Sequence, residues 1–535
     1  MTDQVYHRQL TPVDFLERSA FVYPDKLAIV YNGQSTTYGQ FLERANRLAG
    51  ALRQAGIGRG DRVAFLLPNV PAMLEAHFGP MRIGAVLVAL NYRLAASEIA
   101  YILNHCEAKI LVFDSEYAPI IRELRGQVPS VATYVQVVDI FPKADDIAGP
   151  DYESFLDSAL PGEHRDAVES ELDVITINYT SGTTGMPKGV QYAGRGAYLN
   201  ALGECLELGL TARSSYLWTL PMFHANGWCF TWAVTAVGGT NVCLRRVDVE
   251  DVYRLIKEQG VTHMCAAPTI LVSMYSSPLA KGQDLTGLTI ATAGAPPAPQ
   301  VIRTMASMGA YIQHLYGLTE TYGPHTLCAP QASWDALTAE ELGAVKARQG
   351  VPYIIAGTGL RVVDSSMNDV PRDASTIGEV VMQGNNVMQG YYLEPEATAK
   401  AFEGGWFHSG DLAVWHPDGY LELQDRAKDI IISGGENISS QQVEKVIMEH
   451  PGVLEACVVG VPDEQWGEVP KAFVVPRLDA AVTAEDIIAF TRERIAHFKA
   501  PKYVEFGDLP KTATGKIQKF VLRDKEWQGR EKRIQ

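Results

Sequence analysis

The sequence has few cysteines, and their spacing does not indicate a cross-linked or metal-bound structure. The 535 residues contain seven cysteines, an odd number, and no two are spaced as Cys-x-x-Cys. A disulfide framework or a structural zinc site normally needs paired or closely spaced cysteines. Most of these cysteines lie in apolar runs, where cysteine usually acts as a small hydrophobic residue. We therefore expect neither disulfides nor a zinc site.

Excess positive charge and long apolar runs are also absent. The formal net charge is -16, whereas nucleic-acid binding draws most of its affinity from Lys and Arg on phosphates. No uncharged apolar run reaches the length needed to span a bilayer. The start of the chain lacks the basic-then-apolar pattern of a signal peptide. We expect no nucleic-acid partner, no integral membrane segment and a cytoplasmic location.

The length and the order of hydrophobic patterns predict an α/β fold with more than one domain. A chain of 535 residues is too long for a single compact core. Apolar strand candidates, such as 63–67 and 110–113, alternate with helical stretches. This alternation is typical of parallel sheets covered by helices, and it predicts a large N-terminal domain of that kind.

The pattern changes in the last third of the chain. Short strand candidates at 378–383 and 412–423 appear, the second interrupted by the turn Pro417-Asp418-Gly419, which predicts a small antiparallel β subdomain. The charged segment 425–428 then precedes a smaller unit of helices and strands. We predict a large N-terminal domain at 1–425 and a small α+β C-terminal domain at 426–535.

The most informative segment follows the apolar strand candidate 174–179. Residues 180–189 have the sequence TSGTTGMPKG, with three glycines, four hydroxyl side chains and one lysine. Glycine lets a backbone turn tightly and approach a ligand closely, and free N–H groups with hydroxyls can surround phosphate oxygens. The spacing differs from that of the Walker loop. The segment therefore predicts a phosphate-binding loop of another type.

This loop resembles the phosphate-loop signature of the adenylate-forming superfamily, which includes acyl-CoA synthetases, adenylation domains of non-ribosomal peptide synthetases and beetle luciferases. Five more segments are similar to motifs of that superfamily and occur in its order. They are AGAPP at 293–297, YGLTET at 316–321, GWFHSGD at 405–411, DRAKD at 425–429 and PKTATGK at 510–516. The central block resembles the branch of short- and medium-chain fatty acyl-CoA synthetases.

The resemblance implies roles for individual residues in binding ATP and Mg2+. Glu320 would bind the metal, Thr319 the α-phosphate, and Lys516 would stabilise adenylate formation, while His224 would border the adenylate and act in gating or catalysis. Tyr316 would stack on adenine, Asp411 would accept the ribose hydroxyls, and Arg426 would assist at ribose and phosphate. The remaining nucleotide-binding residues would be Thr180, Ser181, Gly182, Thr183, Thr184, Lys188, Gly294, Ala295, Pro296 and Gly317.

The resemblance also locates the acid pocket and the path of coenzyme A. The pocket would lie among Phe223, Trp228, Gly317 and Gly323, with Trp228 capping it. The segments that would line the pocket, 223–228, 293–295 and 317–323, contain no Lys or Arg. A second carboxylate on the substrate would therefore be costly to bury there. Lys428 would be the hinge between the N-terminal domain, which would be the adenylation domain, and the C-terminal domain, which would be mobile. Gly434 and Gly435 would leave space for the pantetheine thiol.

The predicted activity is that of an acid–thiol ligase. It would convert an apolar monocarboxylic acid, a short- to medium-chain fatty acid, into acyl-AMP with release of pyrophosphate, and then into the acyl-CoA thioester. An aryl acid, or transfer to an amine or a carrier protein, is the alternative among enzymes. A catalytically silent nucleotide-binding regulator is the alternative of another class. Homodimers are common in the superfamily, so the resemblance also suggests a homodimer.

Overall fold

The structure is a computed structural model that describes residues 8–159, 162–166, 168–180, 186–426, 429–434, 436–463, 465–478, 480–511 and 517–527. Across these ranges, none of the helices combines the length and the apolar character required to span a membrane.

The helices of the described residues are distributed along the whole chain. They are α1 (Val13–Val22), α2 (Tyr38–Gln54), α3 (Pro71–Ala76), α4 (Ala96–His105), α5 (Ala118–Leu124), α6 (Tyr152–Asp157), α7 (Gly194–Glu207), α8 (Ala225–Trp228), α9 (Phe230–Ala236), α10 (Val249–Glu258), α11 (Pro268–Ser276), α12 (Pro299–Ser307), α13 (Ala339–Lys346), α14 (Pro395–Ala401), α15 (Ser440–Met448), α16 (Ala484–Arg492) and α17 (Lys519–Glu526).

The strands form four sheets. The strands of the first two are β1 (Leu27–Tyr31), β2 (Gln34–Thr37), β3 (Arg62–Leu66), β4 (Val86–Ala89), β5 (Ile110–Asp114), β6 (Thr133–Val137), β7 (Val174–Thr180), β8 (Lys188–Ala193), β9 (Ser215–Trp218), β10 (Thr240–Cys243), β11 (His263–Cys265), β12 (Thr289–Thr292), β13 (Tyr311–Leu318), β14 (Gly323–Leu327) and β15 (Val351–Pro352). Those of the other two are β16 (Leu360–Val363), β17 (Ile377–Met382), β18 (Phe407–Trp415), β19 (Leu421–Arg426), β20 (Ile431–Ser433), β21 (Glu436–Ile438), β22 (Val453–Asp463), β23 (Gly467–Pro476) and β24 (Tyr503–Phe506).

Two large, mostly parallel sheets form the N-terminal part. Their strand orders are β15-β14-β13-β12-β11-β9-β10-β1-β2 and β6-β5-β3-β4-β7-β8. Antiparallel pairs occur only at the margins of these two sheets as described, such as β7 with β8 and β13 with β14. The predicted alternation of strands and helices is confirmed, as are the predicted strands at 63–67, 110–113 and 174–179.

Side chains that alternate along β3 show how the layers are held together. Val63 and Phe65 point into a core shared with α2, whereas Ala64 and Leu66 enter a second core packed against α4. Successive side chains of a strand point to opposite faces, so a strand covered by helices on both faces is apolar at every position. This explains the continuous apolar runs in the sequence.

The predicted change after the parallel part is also observed. Strands β16 to β19 form an antiparallel sheet in chain order, with the turn after Trp415 where the Pro-Asp-Gly sequence predicts it. Strands β20 to β24 form a separate mixed sheet, whose core is shared with α15 and α16. The predicted fold class, a large parallel-sheet domain with an antiparallel subdomain and a smaller α/β unit, is confirmed.

Candidate active site

The predicted adenine-side and YGLTE segments follow neighbouring parallel strands. Strands β12 and β13 pair in parallel with Thr292 beside His314, so their carboxyl ends meet at one edge of the sheet. Gly294 follows β12 with a φ of 86°, a conformation that favours glycine. Ala295 and Pro296 beside it are partly exposed. This edge is the usual position of a ligand in an open α/β sheet.

Asp411, Tyr316 and Arg426 form one hydrogen-bonded cluster. The Tyr316 hydroxyl donates to Asp411 Oδ2 at 2.7 Å, and Arg426 Nε lies 3.1 Å from Asp411 Oδ1. Arg426 is the cross-strand neighbour of Asp411 in the β18–β19 pair. The Asp411 side chain is 7 % exposed, and the negative charge of this buried carboxylate is balanced by the guanidinium. Three residues that the sequence assigns to nucleotide binding are thus brought together.

Glu320 lies in a short 3-10 turn, residues 319–321, directly after β13. The Tyr391 hydroxyl donates to Glu320 Oε1 at 3.0 Å. Burial raises the pKa of the Glu320 carboxyl, the nearby Asp411 raises it further, and Tyr391 and Arg426 lower it. The influence of Asp411 and Arg426 shows that the carboxylate shares their electrostatic environment.

The donor set at Glu320 fits a magnesium ion that is held mainly by substrate. Mg2+ commonly takes one or two protein carboxylates, with phosphate and water oxygens completing its shell. Glu320 provides one carboxylate, whose Oε1 accepts the hydrogen bond from Tyr391. Within the described ranges, no group of three or more His, Cys, Asp or Glu is placed to bind a metal.

Strands β7 and β8 carry the two ends of the predicted phosphate loop. Thr180 and Lys188 are cross-strand partners, so both ends of the loop are fixed in one antiparallel pair. Lys188 Nζ lies 4.9 Å from the centre of the Tyr391 ring and 3.8 Å from Glu394. The predicted residues Ser181, Gly182, Thr183 and Thr184 lie outside the described residues.

The Thr319 backbone is held by a tyrosine pair beneath the turn. The Tyr192 hydroxyl donates to the Thr319 carbonyl at 2.6 Å, and the Tyr192 ring stacks on Tyr322 with centroids 3.8 Å apart. Tyr322 also accepts a hydrogen bond from the Ala193 N–H. The two buried rings therefore fix the turn that presents Thr319 and Glu320.

Three of the predicted pocket residues lie close together in space, with Gly323 between Gly317 and Trp228. A methyl group added at Gly323 would lie 3.0 Å from Trp228 Cβ, and one added at Gly317 would lie 1.8 Å from the Gly323 carbonyl oxygen. Trp228 is buried. Phe223, also buried, contacts Tyr92 edge-to-face at 5.2 Å. The segment that carries Phe223 and Trp228 thus lies against the segment that carries Glu320.

The backbone between His224 and α9 is unusual. His224 precedes five consecutive residues, Ala225 to Cys229, that all have φ between 44° and 66°. Only one of the five is glycine, and the left-handed conformation costs other residues roughly 1–2 kcal/mol each. Surrounding contacts must therefore hold this turn in place.

Gly434 occupies a tight position on the smaller unit. Its φ is 60°, its N–H donates to the Trp466 carbonyl at 2.8 Å, and an added methyl would lie 2.7 Å from the Trp466 ring. This is consistent with a requirement for glycine at 434. The predicted hinge Lys428, the neighbouring Gly435 and the predicted catalytic Lys516 lie outside the described residues.

Some residues of the site were not predicted from the sequence. Tyr391 contacts Glu320 from a position 71 residues further along the chain, and no local pattern indicates such a contact. Asn226 and His77 are fully buried near the segment that carries Phe223 and Trp228. Five consecutive left-handed residues inside an apolar segment leave no periodic signal, although Asn226 and Gly227 are of the residue types that best tolerate this conformation.

Comparisons with known proteins agree with this geometry. The AMP-binding enzyme family matches residues 16–392, and the AMP-binding enzyme C-terminal domain matches residues 442–516. A 4-hydroxybutyrate–CoA ligase of Metallosphaera sedula is 46% identical over 524 residues, covering 97% of this chain and 95% of the relative. The acetate–CoA ligase CCL3 of Humulus lupulus is 46% identical over 537 residues, covering 96% and 94%.

A solved structure extends the comparison to three dimensions. The anthranilate CoA ligase AuaEII in complex with anthranoyl-AMP has a TM-score of 0.88 and 26% identity, covering 98% of this chain and 99% of that protein. The chain belongs to the family of AMP-binding enzymes, the adenylate-forming superfamily. Within it, the chain is an AMP-forming acyl-CoA synthetase that uses ATP, Mg2+ and coenzyme A.

Proposed function

We propose that the acid activated by this enzyme is an apolar monocarboxylic acid of short to medium chain length. The observation that carries the proposal is the composition of the pocket. The segments 223–228, 293–295 and 317–323 contain no Lys or Arg, and Trp228 is packed against Gly323. A second carboxylate would have no partner there. The relatives named for acetate and 4-hydroxybutyrate act on short monocarboxylates, which supports the same size class.

The site residues would divide the work of adenylation as follows. Asp411, oriented by Tyr316 and Arg426, would accept the ribose hydroxyls, with the Tyr316 ring beside adenine and Gly294, Ala295 and Pro296 lining the edge. Thr180, Lys188 and Thr319 would donate to phosphate oxygens. When bound at Glu320, Mg2+ would offset negative charge on the phosphates. The positively charged ammonium of Lys516 would lie between the carboxylate and the phosphate and reduce the repulsion between them.

The second step would use the smaller unit. We propose that the boundary lies between 425 and 426, that Lys428 acts as the hinge, and that Gly434 and Gly435 border the pantetheine path. His224 would change its position with the catalytic state rather than transfer a proton. A homodimer and a cytoplasmic location also remain proposals.

Two alternatives differ in substrate or in chemistry. An aryl acid would fit an apolar slot, and the anthranilate CoA ligase of similar fold acts on such a ring. Transfer to an amine or a carrier protein would keep adenylation and change the acceptor. A catalytically silent regulator would be expected to have lost Glu320, Asp411 or Lys516, and all three are present.

One experiment separates these cases. The enzyme is incubated with MgATP and a panel of acetate, butyrate, octanoate, malonate and benzoate, and pyrophosphate release is measured with and without coenzyme A. We expect acyl-CoA from the unbranched monocarboxylates and little turnover of malonate. Equal or better turnover of malonate would contradict the pocket argument. Preference for benzoate would establish the aryl alternative. Release of pyrophosphate without formation of a thioester would show that the acyl acceptor is not coenzyme A.

A further inference from the structure

The left-handed turn 225–229 is held by a buried amide at its second residue. The Asn226 side chain is fully buried in the core. It lies between the side chains of His77, which follows α3, and Asn178 of β7, both of them also buried. These three side chains are far apart in the sequence and belong to three different elements.

The protonation of His77 determines which group donates and which accepts in the hydrogen bonds that link His77, Asn226 and Asn178. His77 Nδ1 lies 2.7 Å from the Met73 carbonyl oxygen, which can only accept, so Nδ1 carries the proton. Burial lowers the pKa of His77 to about 4, so the ring is neutral and Nε2 is an acceptor. Asn226 Nδ2 therefore donates to His77 Nε2 at 3.0 Å. Asn226 Oδ1 is left to accept from Asn178 Nδ2 at 2.6 Å.

The turn that Asn226 anchors carries one wall of the acid pocket. Trp228 lies two residues further on and packs against Gly323. Cys229 Sγ lies 3.4 Å from the Tyr322 carbonyl oxygen, and Thr231 Oγ1 donates back to the Asn226 carbonyl at 3.3 Å. Loss of the amide would remove this support from a strained backbone that includes Trp228.

We propose that Asn226 is a specificity-determining positioning residue, whose amide, held by His77 and Asn178, sets the Trp228 wall and so the length of acid accepted. This inference rests on the proposed function of the pocket and adds its structural control. Asn226 acts through Trp228 and is not itself a catalytic residue.

The test compares variants that separate the amide from the backbone conformation. Asn226→Gly removes both hydrogen bonds and retains a residue that tolerates positive φ. Asn178→Ala removes one hydrogen bond and leaves the turn sequence intact. Asn32→Gly is the matched control, because Asn32 is an exposed Asn with a φ of 48° in the β1–β2 turn. For each protein, KM and kcat are measured with butyrate, octanoate and ATP, together with the melting temperature.

We expect Asn226→Gly to raise the KM for butyrate roughly tenfold and to lower the preference for butyrate over octanoate. The reason is that a change in pocket length of one methylene group alters substrate discrimination by about that factor. The KM for ATP should change less than about twofold, since the nucleotide residues are untouched. Asn178→Ala should shift the acid preference in the same direction. The double variant should be no worse than Asn226→Gly, because both changes break the same hydrogen bond.

Specific outcomes would overturn the inference. A lower melting temperature with an unchanged acid preference in Asn226→Gly and Asn178→Ala would mean that the amide is merely structural. A rise in the KM for ATP alone would assign Asn178 to the phosphate loop instead. If Asn226→Gly does not fold, the acid preference of Asn178→Ala decides. Failure of the unaltered enzyme with every acid would remove the proposed function, whereas an active enzyme whose variants keep its preference removes only this inference.

Discussion

The Tyr391 hydroxyl lies 3.0 Å from Oε1 of Glu320 and donates a hydrogen bond to it. This bond lowers the pKa of Glu320, which burial otherwise raises. A carboxylate must be ionised to bind a cation. Tyr391 therefore helps to keep the predicted metal ligand charged in a partly desolvated position.

Replacing Tyr391 with Phe should shift the pH dependence of adenylation. Loss of the hydroxyl raises the pKa of Glu320 further, so the acid limb of the rate profile should move to higher pH. The loss of rate at neutral pH should be modest. The profile is measured as acid-dependent pyrophosphate release at saturating MgATP, with Tyr392→Phe, one residue along, as the control. An unshifted acid limb would show that Glu320 does not control that limb.

Glu320→Gln should abolish most adenylation while the fold is retained. The amide is nearly the same size but cannot carry the negative charge that holds a cation, and loss of such a charge-stabilising group typically costs about 100-fold or more in rate. Raising the Mg2+ concentration should restore part of the activity. Wild-type turnover in this variant would assign the metal to another residue.

Gly317→Ala should damage both stability and acid binding. The new methyl would lie 1.8 Å from the Gly323 carbonyl oxygen, so strands β13 and β14 must separate and Gly323 must shift against Trp228. Overpacking of this kind costs typically about 1–3 kcal/mol. Thermal unfolding and the KM for butyrate report the two effects. Gly126→Ala is the control, because an added methyl there meets nothing within 4 Å.

Lys516→Ala should depress adenylate formation far more than thioester formation from a supplied acyl-adenylate. The predicted role of the ammonium is to offset charge between carboxylate and phosphate, and that requirement ends once the adenylate exists. The two half-reactions are measured separately, as pyrophosphate release and as coenzyme A consumption. Equal loss in both half-reactions would contradict the assigned role.

Acidification should destabilise the protein through its buried histidines. Burial lowers the pKa values of His77, His314 and His325 to about 4, whereas an unfolded histidine titrates near 6.5. Between these values the unfolded chain binds more protons, so stability falls as pH decreases from 6.5 to 4, by about 3 kcal/mol for each group.

His325→Gln isolates one of these contributions. Its melting temperature should depend less steeply on pH between 6.5 and 4 than that of the wild type. The difference between the two proteins is the relevant quantity, because Glu204 has a raised pKa and contributes with the opposite sign. Parallel curves for the two proteins would show that the pKa of His325 is the same in the folded and unfolded states, which would contradict the prediction.

The parallel part of the fold follows from local patterns, whereas several pairings do not. The strands at 63–67 and 110–113 are evident because a strand buried on both faces is apolar throughout. The hairpin strand β2 was not predicted, since its residues are polar, although Asn32-Gly33 is the pair favoured in a two-residue hairpin turn. Strand β23 was missed because charged and proline residues interrupt its apolar pattern.

Residues of the candidate site can be singled out from the sequence where they lie in a motif, but not where their contacts join distant parts of the chain. Asp411, Tyr316 and Arg426 each lie in a recognisable segment, and the structure brings them together. Tyr391 has no such signal. The hydrogen bonds of Asn226 are made to His77 and Asn178, which lie 149 and 48 positions earlier in the chain, and only the folded arrangement reveals them.

Asn178 and Thr180 lie on the same strand, β7, and two residues apart. Side chains with that spacing share one face of a strand and are separated by about 7 Å along it. If Asn178 supports the wall of the acid pocket and Thr180 opens the phosphate loop, a single extended segment sets the spacing between the two reactants. Rotation of the smaller unit could then exchange one half-reaction for the other without altering how the carboxylate and the triphosphate are aligned.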